Sequence, residues 1–112
     1  KMKALGIDYG EKHIGLAIGD YELRVAMPHK TVNSLEEVKE AVEQEKIDKI
    51  IVGLPLNLKR EDTKQTKKVK AFARKLGEVI FVDETFTSRG AKGDHSKAAA
   101  QILQTHFDLC KN

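Results

Sequence analysis

This 112-residue chain has one cysteine, no tryptophan and no long apolar run. Its one cysteine, Cys110, cannot form an intramolecular disulfide, so the fold depends on packing and suits a reducing cytoplasm. The chain has neither a long apolar run nor a secretion or lipidation signal, and we therefore expect a cytoplasmic protein without a membrane partner. Aromatic residues make up only 5%, which argues against a surface that binds single strands by stacking.

The remaining composition is that of one ordinary globular domain. Hydrophobic residues make up 40% and charged residues 33%, which excludes a disordered chain. The chain has no repeat and no linker long enough to divide it. We expect residues 1–112 to form a single domain.

Apolar periodicity predicts eight elements in the order β-β-β-α-β-α-β-α. We expect a hairpin within 3–18 and a third strand within 22–32, where Pro28 would put the strand at an edge or introduce a bulge. A helix over about 35–45, a buried strand at 50–55 and a helix ending at Gly77 should follow. A buried strand at 79–82 and a terminal helix opened by Asp94 complete the order. A hairpin followed by βα units indicates an α/β fold with a mixed sheet. Ligands usually collect beyond the carboxyl ends of such central strands.

The small net charge of +3 conceals two opposed segments. Residues 34–48 hold six acidic and two basic side chains, whereas residues 59–75 hold two acidic and eight basic ones. The basic segment is either a solvated helix face or a surface that meets phosphates. Its candidate nucleic-acid contacts are Lys59, Arg60, Lys64 and Lys67.

Three acidic residues stand at the ends of predicted elements: Asp8, Glu84 and Asp94. Carboxylates that converge from neighbouring strands repel one another unless they share protons or bind a hard cation. A Mg²⁺ or Mn²⁺ site, of the kind that hydrolyses phosphodiesters, would resolve this repulsion. The alternative is that each acid only caps a turn.

Four motifs occur in an informative order. They are Gly6-Ile7-Asp8-Tyr9-Gly10-Glu11-Lys12-His13-Ile14-Gly15-Leu16-Ala17, Val52-Gly53-Leu54-Pro55-Leu56-Asn57, Val82-Asp83-Glu84 and Ala98-Ala99-Ala100-Gln101-Ile102-Leu103-Gln104. With these motifs nearly the whole chain resembles the YqgF family, Holliday-junction-resolvase-like proteins also described as pre-16S rRNA nucleases. The resemblance implies a ribonuclease H-like fold with a mixed five-stranded sheet flanked by helices, which matches the element order predicted from periodicity.

The resemblance also implies a metal-dependent endonuclease that acts on structured nucleic acid with water as the attacking group. Asp8 and Glu84 would hold Mg²⁺ or Mn²⁺ together with a third carboxylate from the start of the last helix. The implied substrate is pre-16S rRNA, processed at its 5′ end during ribosome biogenesis. Junction DNA and ribosomal particles are further implied partners, and the chain would act as a monomer or weak homodimer.

Residues around the first two motifs are given supporting roles by the same resemblance. Lys12 would contact a phosphate at the mouth of the site. Gly10 and Gly15 would permit a tight hairpin and a close approach of the backbone to a phosphate. Asn57 would touch the substrate or hold its loop.

The chain departs from the family pattern at three points. The helix aspartate of the family falls on His95, and Asp94 lies one residue earlier. We favour Asp94 as the third ligand, with His95 as the alternative, since imidazole suits manganese or zinc better than magnesium. Thr85 stands where family members carry arginine, so Arg89 is the candidate replacement cation. The segment 85–93 is also shorter than is usual in the family.

Two other functions remain open on the sequence. Resolution of four-way DNA junctions would use the same chemistry but requires a dimer that presents two sites. A nucleic-acid-binding ribosome-assembly factor would keep the fold without catalysis. An ATP-binding protein of the actin and hexokinase type is unfavoured because 112 residues leave no room for a second lobe.

Overall fold

The computed structural model describes residues 1–56, 61–84 and 94–110. Within those ranges, five strands form one mixed sheet in the order β3-β2-β1-β4-β5, and three helices flank it. The elements are β1 (Lys3–Asp8), β2 (Ile14–Asp20), β3 (Met27–Val32), α1 (Leu35–Gln44), β4 (Lys49–Leu54), α2 (Lys64–Arg74), β5 (Ile80–Asp83) and α3 (His95–Leu109). The predicted α/β class and element order are confirmed.

The pairing of the strands brings three strand ends to one edge. β1 and β2 form an antiparallel hairpin in which Asp8 is paired with Gly15. β1 pairs in parallel with β4, and β4 pairs in parallel with β5. The C-terminal residues Asp8, Leu54 and Asp83 of these parallel strands therefore lie along one edge, which we call the carboxyl edge.

Side chains alternate between the two faces of the sheet, and each face has its own core. On one face, Leu5 and Ile7 of β1 pack with buried residues of α1 and α2. On the other, Ala4 packs with residues of α3 such as Leu103. We call these the α1/α2 face and the α3 face.

Small residues on the α3 face allow α3 to approach the sheet closely. A Cβ atom at Gly6 would lie 2.7 Å from the carbonyl oxygen of Ala99 and 2.7 Å from Leu103 Cβ. Contacts of that length do not occur between real side chains, so β1 needs glycine there. The close approach fixes α3 across β1 and brings its first residue toward the carboxyl edge.

The last strand differs from its prediction. The apolar run predicts a buried strand at 79–82, but β5 is an edge strand with β4 as its neighbour in the sheet. Ile80 and Phe81 are 38% and 39% exposed, and Val82 alone of its four residues is buried. An apolar run of four residues cannot distinguish a central strand from an edge strand.

Other element boundaries shift by a few residues. β3 is an edge strand with an irregular register opposite Leu16 and Ala17, as Pro28 predicts, but it begins only at Met27. α2 begins earlier than its apolar spacing indicates, because Thr63 and Thr66 form a reciprocal capping box. No helix in the described part of the chain is long and apolar enough to span a membrane.

Candidate active site

Asp8 is a nearly buried carboxylate at the carboxyl edge. The residue is 6% exposed and lies on the α3 face, in phase with Gly6 and Ala4. Aspartate is rarely buried without a partner, because removing a carboxylate from water is costly. The partner of Asp8 therefore indicates what the site is built to do.

That partner is His95, the first residue of α3. His95 Nδ1 lies 3.3 Å from Asp8 Oδ2. A carboxylate can only accept, so the ring nitrogen donates in this contact. The ring remains partly exposed, and its centroid lies 5.6 Å from that of His13 in the hairpin turn.

Gly15 makes this contact possible. A Cβ atom at Gly15 would overlap the backbone carbonyl of His95 and lie 2.7 Å from its Cβ. Gly15 lies within β2 opposite Asp8 and so is not a turn residue. Gly15 therefore seats the start of α3 rather than forming the hairpin turn, and the close approach to a phosphate expected of it stays a prediction.

Glu84 brings a second carboxylate to the same place. Its backbone N–H donates to Leu54 O, which continues the β5–β4 pairing by one residue. A Cβ atom at Gly53 would lie 2.6 Å from the Glu84 carboxyl carbon. Ile7 of β1 is paired with Val52 of β4, so Gly53, the next residue of β4, lies beside Asp8. The usual spacing between neighbouring strands is about 4.8 Å. The Glu84 carboxyl thus covers the backbone next to Asp8.

Asp94 is occupied by the helix that it begins. As N-cap of α3 it accepts hydrogen bonds from the Ser96 hydroxyl at 2.6 Å and from the Lys97 N–H at 3.3 Å. The Ser96 hydroxyl, followed by the Lys97 N–H and charge, lowers the pKa of this carboxyl. Its role as third ligand stays a prediction, while His95 is the residue that contacts Asp8.

The oxygen and nitrogen donors at this site suit a divalent cation that takes only some of its ligands from the protein. Among residues 1–56, 61–84 and 94–110, no three His, Cys, Asp or Glu side chains are grouped tightly enough to hold a metal ion. Mg²⁺ commonly uses only one or two carboxylates and completes its shell with water and substrate phosphate oxygens. Asp8 and Glu84 fit that pattern, and an imidazole such as that of His95 is a donor that suits Mn²⁺ better than Mg²⁺.

The predicted basic contacts fall into two groups. Lys12 is exposed in the hairpin turn beside the carboxyl edge, and Lys64 and Lys67 are exposed on α2. The remaining predicted contacts lie outside the described residues, as does the Thr85 substitution. These contacts are Asn57, Lys59, Arg60 and Arg89.

Some contacts near this region have no signal in the sequence. The pairing of Tyr9 with Phe72, at 4.5 Å between ring centroids, has no signal in the local sequence. His106 is buried, and its Nε2 lies 2.8 Å from the Tyr21 hydroxyl.

A family model described as "RuvX: Holliday junction resolvase" matches residues 2–109. The chain belongs to the RuvX (YqgF) family. The resemblance predicted from the four motifs is confirmed, and it extends over the strands and helices that carry Asp8, Glu84 and His95.

Two relatives of this RuvX chain are named "Putative pre-16S rRNA nuclease". That of Maridesulfovibrio salexigens is 37% identical over 108 residues, covering 87% of this chain and 80% of that protein. That of Caldanaerobacter subterraneus subsp. tengcongensis is 33% identical over 138 residues, covering 99% of each. The second alignment is longer than this chain, so that relative has residues for which this chain has no counterpart.

A solved structure shares the fold. The structure described as "Crystal structure of Fowlpox virus resolvase and substrate Holliday junction DNA complex" aligns with a TM-score of 0.64, covering 98% of this chain and 100% of that one. At 14% identity the likeness concerns the fold alone. The predicted ribonuclease H-like fold of this RuvX chain is confirmed.

Proposed function

We propose that this RuvX-family chain is a metal-dependent endonuclease that trims the 5′ end of pre-16S rRNA in the cytoplasm. The observation that carries the proposal is the buried Asp8 carboxylate, in contact with His95 and flanked by Glu84 at the carboxyl edge. Relatives that align over most of the chain bear the name of a pre-16S rRNA nuclease.

Asp8 and Glu84 are the proposed metal ligands, and Asp94 or His95 would supply the third. A Mg²⁺ or Mn²⁺ held there would supply activation of a water and stabilisation of charge on the leaving oxygen. The hydrogen bond from His95 orients the Asp8 carboxylate, as partners of metal ligands commonly do. Burial of Asp8 beneath the start of α3 holds this carboxylate in one position.

The lysines around the site hold the substrate by its backbone. Lys12 in the hairpin turn, with Lys64 and Lys67 on α2, would contact phosphates on either side of the scissile one. Such contacts position a strand without reading its sequence. Assembling ribosomal particles, which carry the precursor, are the proposed partner of the chain, and one copy suffices to cut one strand.

Resolution of four-way DNA junctions is the second candidate, and the description of the matching family model favours it. Symmetric cleavage of a junction requires two sites related by a dimer axis. The two candidates therefore differ both in substrate and in assembly.

The deciding experiment offers both substrates to the same protein. End-labelled pre-16S rRNA and a labelled four-way DNA junction are incubated with the wild-type chain in Mg²⁺ or Mn²⁺, and products are mapped to the nucleotide. We expect cleavage at the 5′ end of the 16S sequence, with EDTA abolishing it. Paired symmetric cuts in the junction with intact RNA would favour the second candidate, and no cleavage of either would contradict the nuclease proposal.

A further inference from the structure

A cavity of about 380 Å³ lies on the α1/α2 face, next to the carboxyl edge but opposite the Asp8 site. The turn between β1 and β2, the start of α1 and one side of α2 enclose it. Its volume falls within the range of pockets that bind small molecules. The cavity is therefore large enough to accept one nucleobase with its sugar.

The cavity and the candidate active site are joined by consecutive residues. Asp8 lies on the α3 face, and Tyr9, the next residue, packs into the core of the α1/α2 face and lines the cavity. Their Cα atoms are about 3.8 Å apart across a trans peptide bond. The Asp8 site and the cavity thus flank the same end of β1, on opposite faces of the sheet.

The wall of the cavity offers an aromatic surface. The rings of Tyr9 and Phe72 pack with centroids 4.5 Å apart at 33°, and Leu35 of α1 adds apolar area beside them. Bases stack on such aromatic side chains regardless of their identity. The chain is poor in aromatic residues, yet its fold brings two of them together here.

The rim of the cavity is cationic. Lys68 and Lys75 line it from α2, and their seven-residue spacing places them on one side of the helix. Lys64, four residues before Lys68, extends the same stripe. Lys68 Nζ lies 2.7 Å from Glu11 Oε2, and both side chains are exposed, so a phosphate can compete with this carboxylate at little cost.

We propose that this cavity is a subsite for one unpaired nucleotide beside the scissile phosphate, with the base against Tyr9, which the largely buried Phe72 supports from below, and a phosphate on Lys68 and Lys75. The position of the subsite relative to cleavage rests on the proposed function, but nucleotide binding there does not. A paired base would first have to unpair and unstack, which costs free energy, so the substrate class is RNA with a single-stranded flank at the cut.

Binding and crosslinking test the subsite without relying on cleavage. The Asp8→Asn chain is mixed with a fluorescent hexanucleotide RNA that carries one 4-thiouridine, irradiated, and its crosslinked peptides are identified by mass spectrometry. We expect crosslinks at Tyr9 or Phe72, and we expect the same RNA in a duplex to compete at least about tenfold less well.

Two substitutions separate the rim from the aromatic surface. Lys75→Glu should weaken hexanucleotide binding about tenfold and flatten its salt dependence, whereas Lys49→Glu, the same charge change at the exposed amino end of β4, should weaken it by less than about twofold. Tyr9→Leu should weaken it about tenfold with the salt dependence unchanged. Lys75 is exposed, so Lys75→Glu stays informative even if Tyr9→Leu fails to fold.

Crosslinks confined to other segments, or equal affinities of Lys75→Glu and Lys49→Glu, would overturn the subsite. Failure of the proposed function looks different. In that case wild-type protein would leave all RNA uncut while crosslinks still map to the cavity. Conversely, active cleavage with no crosslink at the cavity would remove the subsite and leave the nuclease proposal standing.

Discussion

His95 Nδ1 lies 3.3 Å from Asp8 Oδ2, and this contact joins the first residue of α3 to the last residue of β1. Residues 87 positions apart in sequence meet because glycines in β1 and β2 let α3 lie directly on the sheet. The geometry of the candidate active site therefore depends on how α3 packs, as well as on the acidic residues themselves.

Replacing the imidazole by a carboxylate should change which metal supports cleavage. In His95→Asp a hard oxygen ligand replaces a nitrogen ligand that favours Mn²⁺ over Mg²⁺. We expect the ratio of Mg²⁺-supported to Mn²⁺-supported cleavage of pre-16S rRNA to rise about tenfold. His29→Asp, at an exposed position on β3, is the control and should leave the ratio unchanged. An unchanged ratio in His95→Asp would remove His95 from the metal shell.

Two substitutions at Asp94 separate capping from metal binding. Asn keeps the capping oxygen but loses the charge, whereas Ala loses both. If Asp94 only caps α3, Asp94→Ala lowers the free energy of unfolding by about 1 kcal/mol, and Asp94→Asn keeps both stability and cleavage. Urea denaturation and the cleavage assay measure the two effects. Loss of cleavage in a stable Asp94→Asn protein would instead make Asp94 a ligand.

Gly15→Ala should destabilise the fold because the added methyl group would overlap the His95 carbonyl. We expect a loss of about 1–3 kcal/mol or more in the free energy of unfolding, measured in urea. Gly77→Ala is the control, since Gly77 has a φ of +101° but nothing within 4 Å of its added Cβ. Backbone strain alone should cost about 1–2 kcal/mol there. A smaller loss at Gly15 than at Gly77 would contradict the close seating of α3.

Acid should destabilise the protein through His106. Burial lowers the pKa of this imidazole in the folded state, while the unfolded chain titrates near the usual value of about 6.5. Below that pH the unfolded state binds the extra proton, so the free energy of unfolding falls by up to about 1.4 kcal/mol per pH unit until the folded pKa is passed. His106→Gln should lose less stability than wild type between pH 7.5 and 5.5. Equal losses would show that His106 does not carry the effect.

Local patterns in the sequence predicted most of the fold, and the family motifs singled out Asp8 and Glu84 as candidate site residues. The hairpin, the helix α1, and the positions of Asp8 at the end of β1 and of Glu84 directly after β5 follow from apolar periodicity and turn residues. The edge position of β5 and the contact of Tyr9 with Phe72 could not be predicted this way, because both depend on which elements become neighbours. The choice between Asp94 and His95 depends on which of these two consecutive residues begins α3, and apolar periodicity does not fix a helix boundary to one residue.

The most direct test of the account is the rate of Mn²⁺-dependent cleavage of pre-16S rRNA by Asp8→Asn and wild-type protein under single-turnover conditions. The substitution keeps the size of the side chain and removes the charge that holds the cation. The account predicts a rate loss on the order of 10³-fold with RNA binding retained, equivalent to about 4 kcal/mol of transition-state stabilisation. Equal cleavage rates for the two proteins would contradict it.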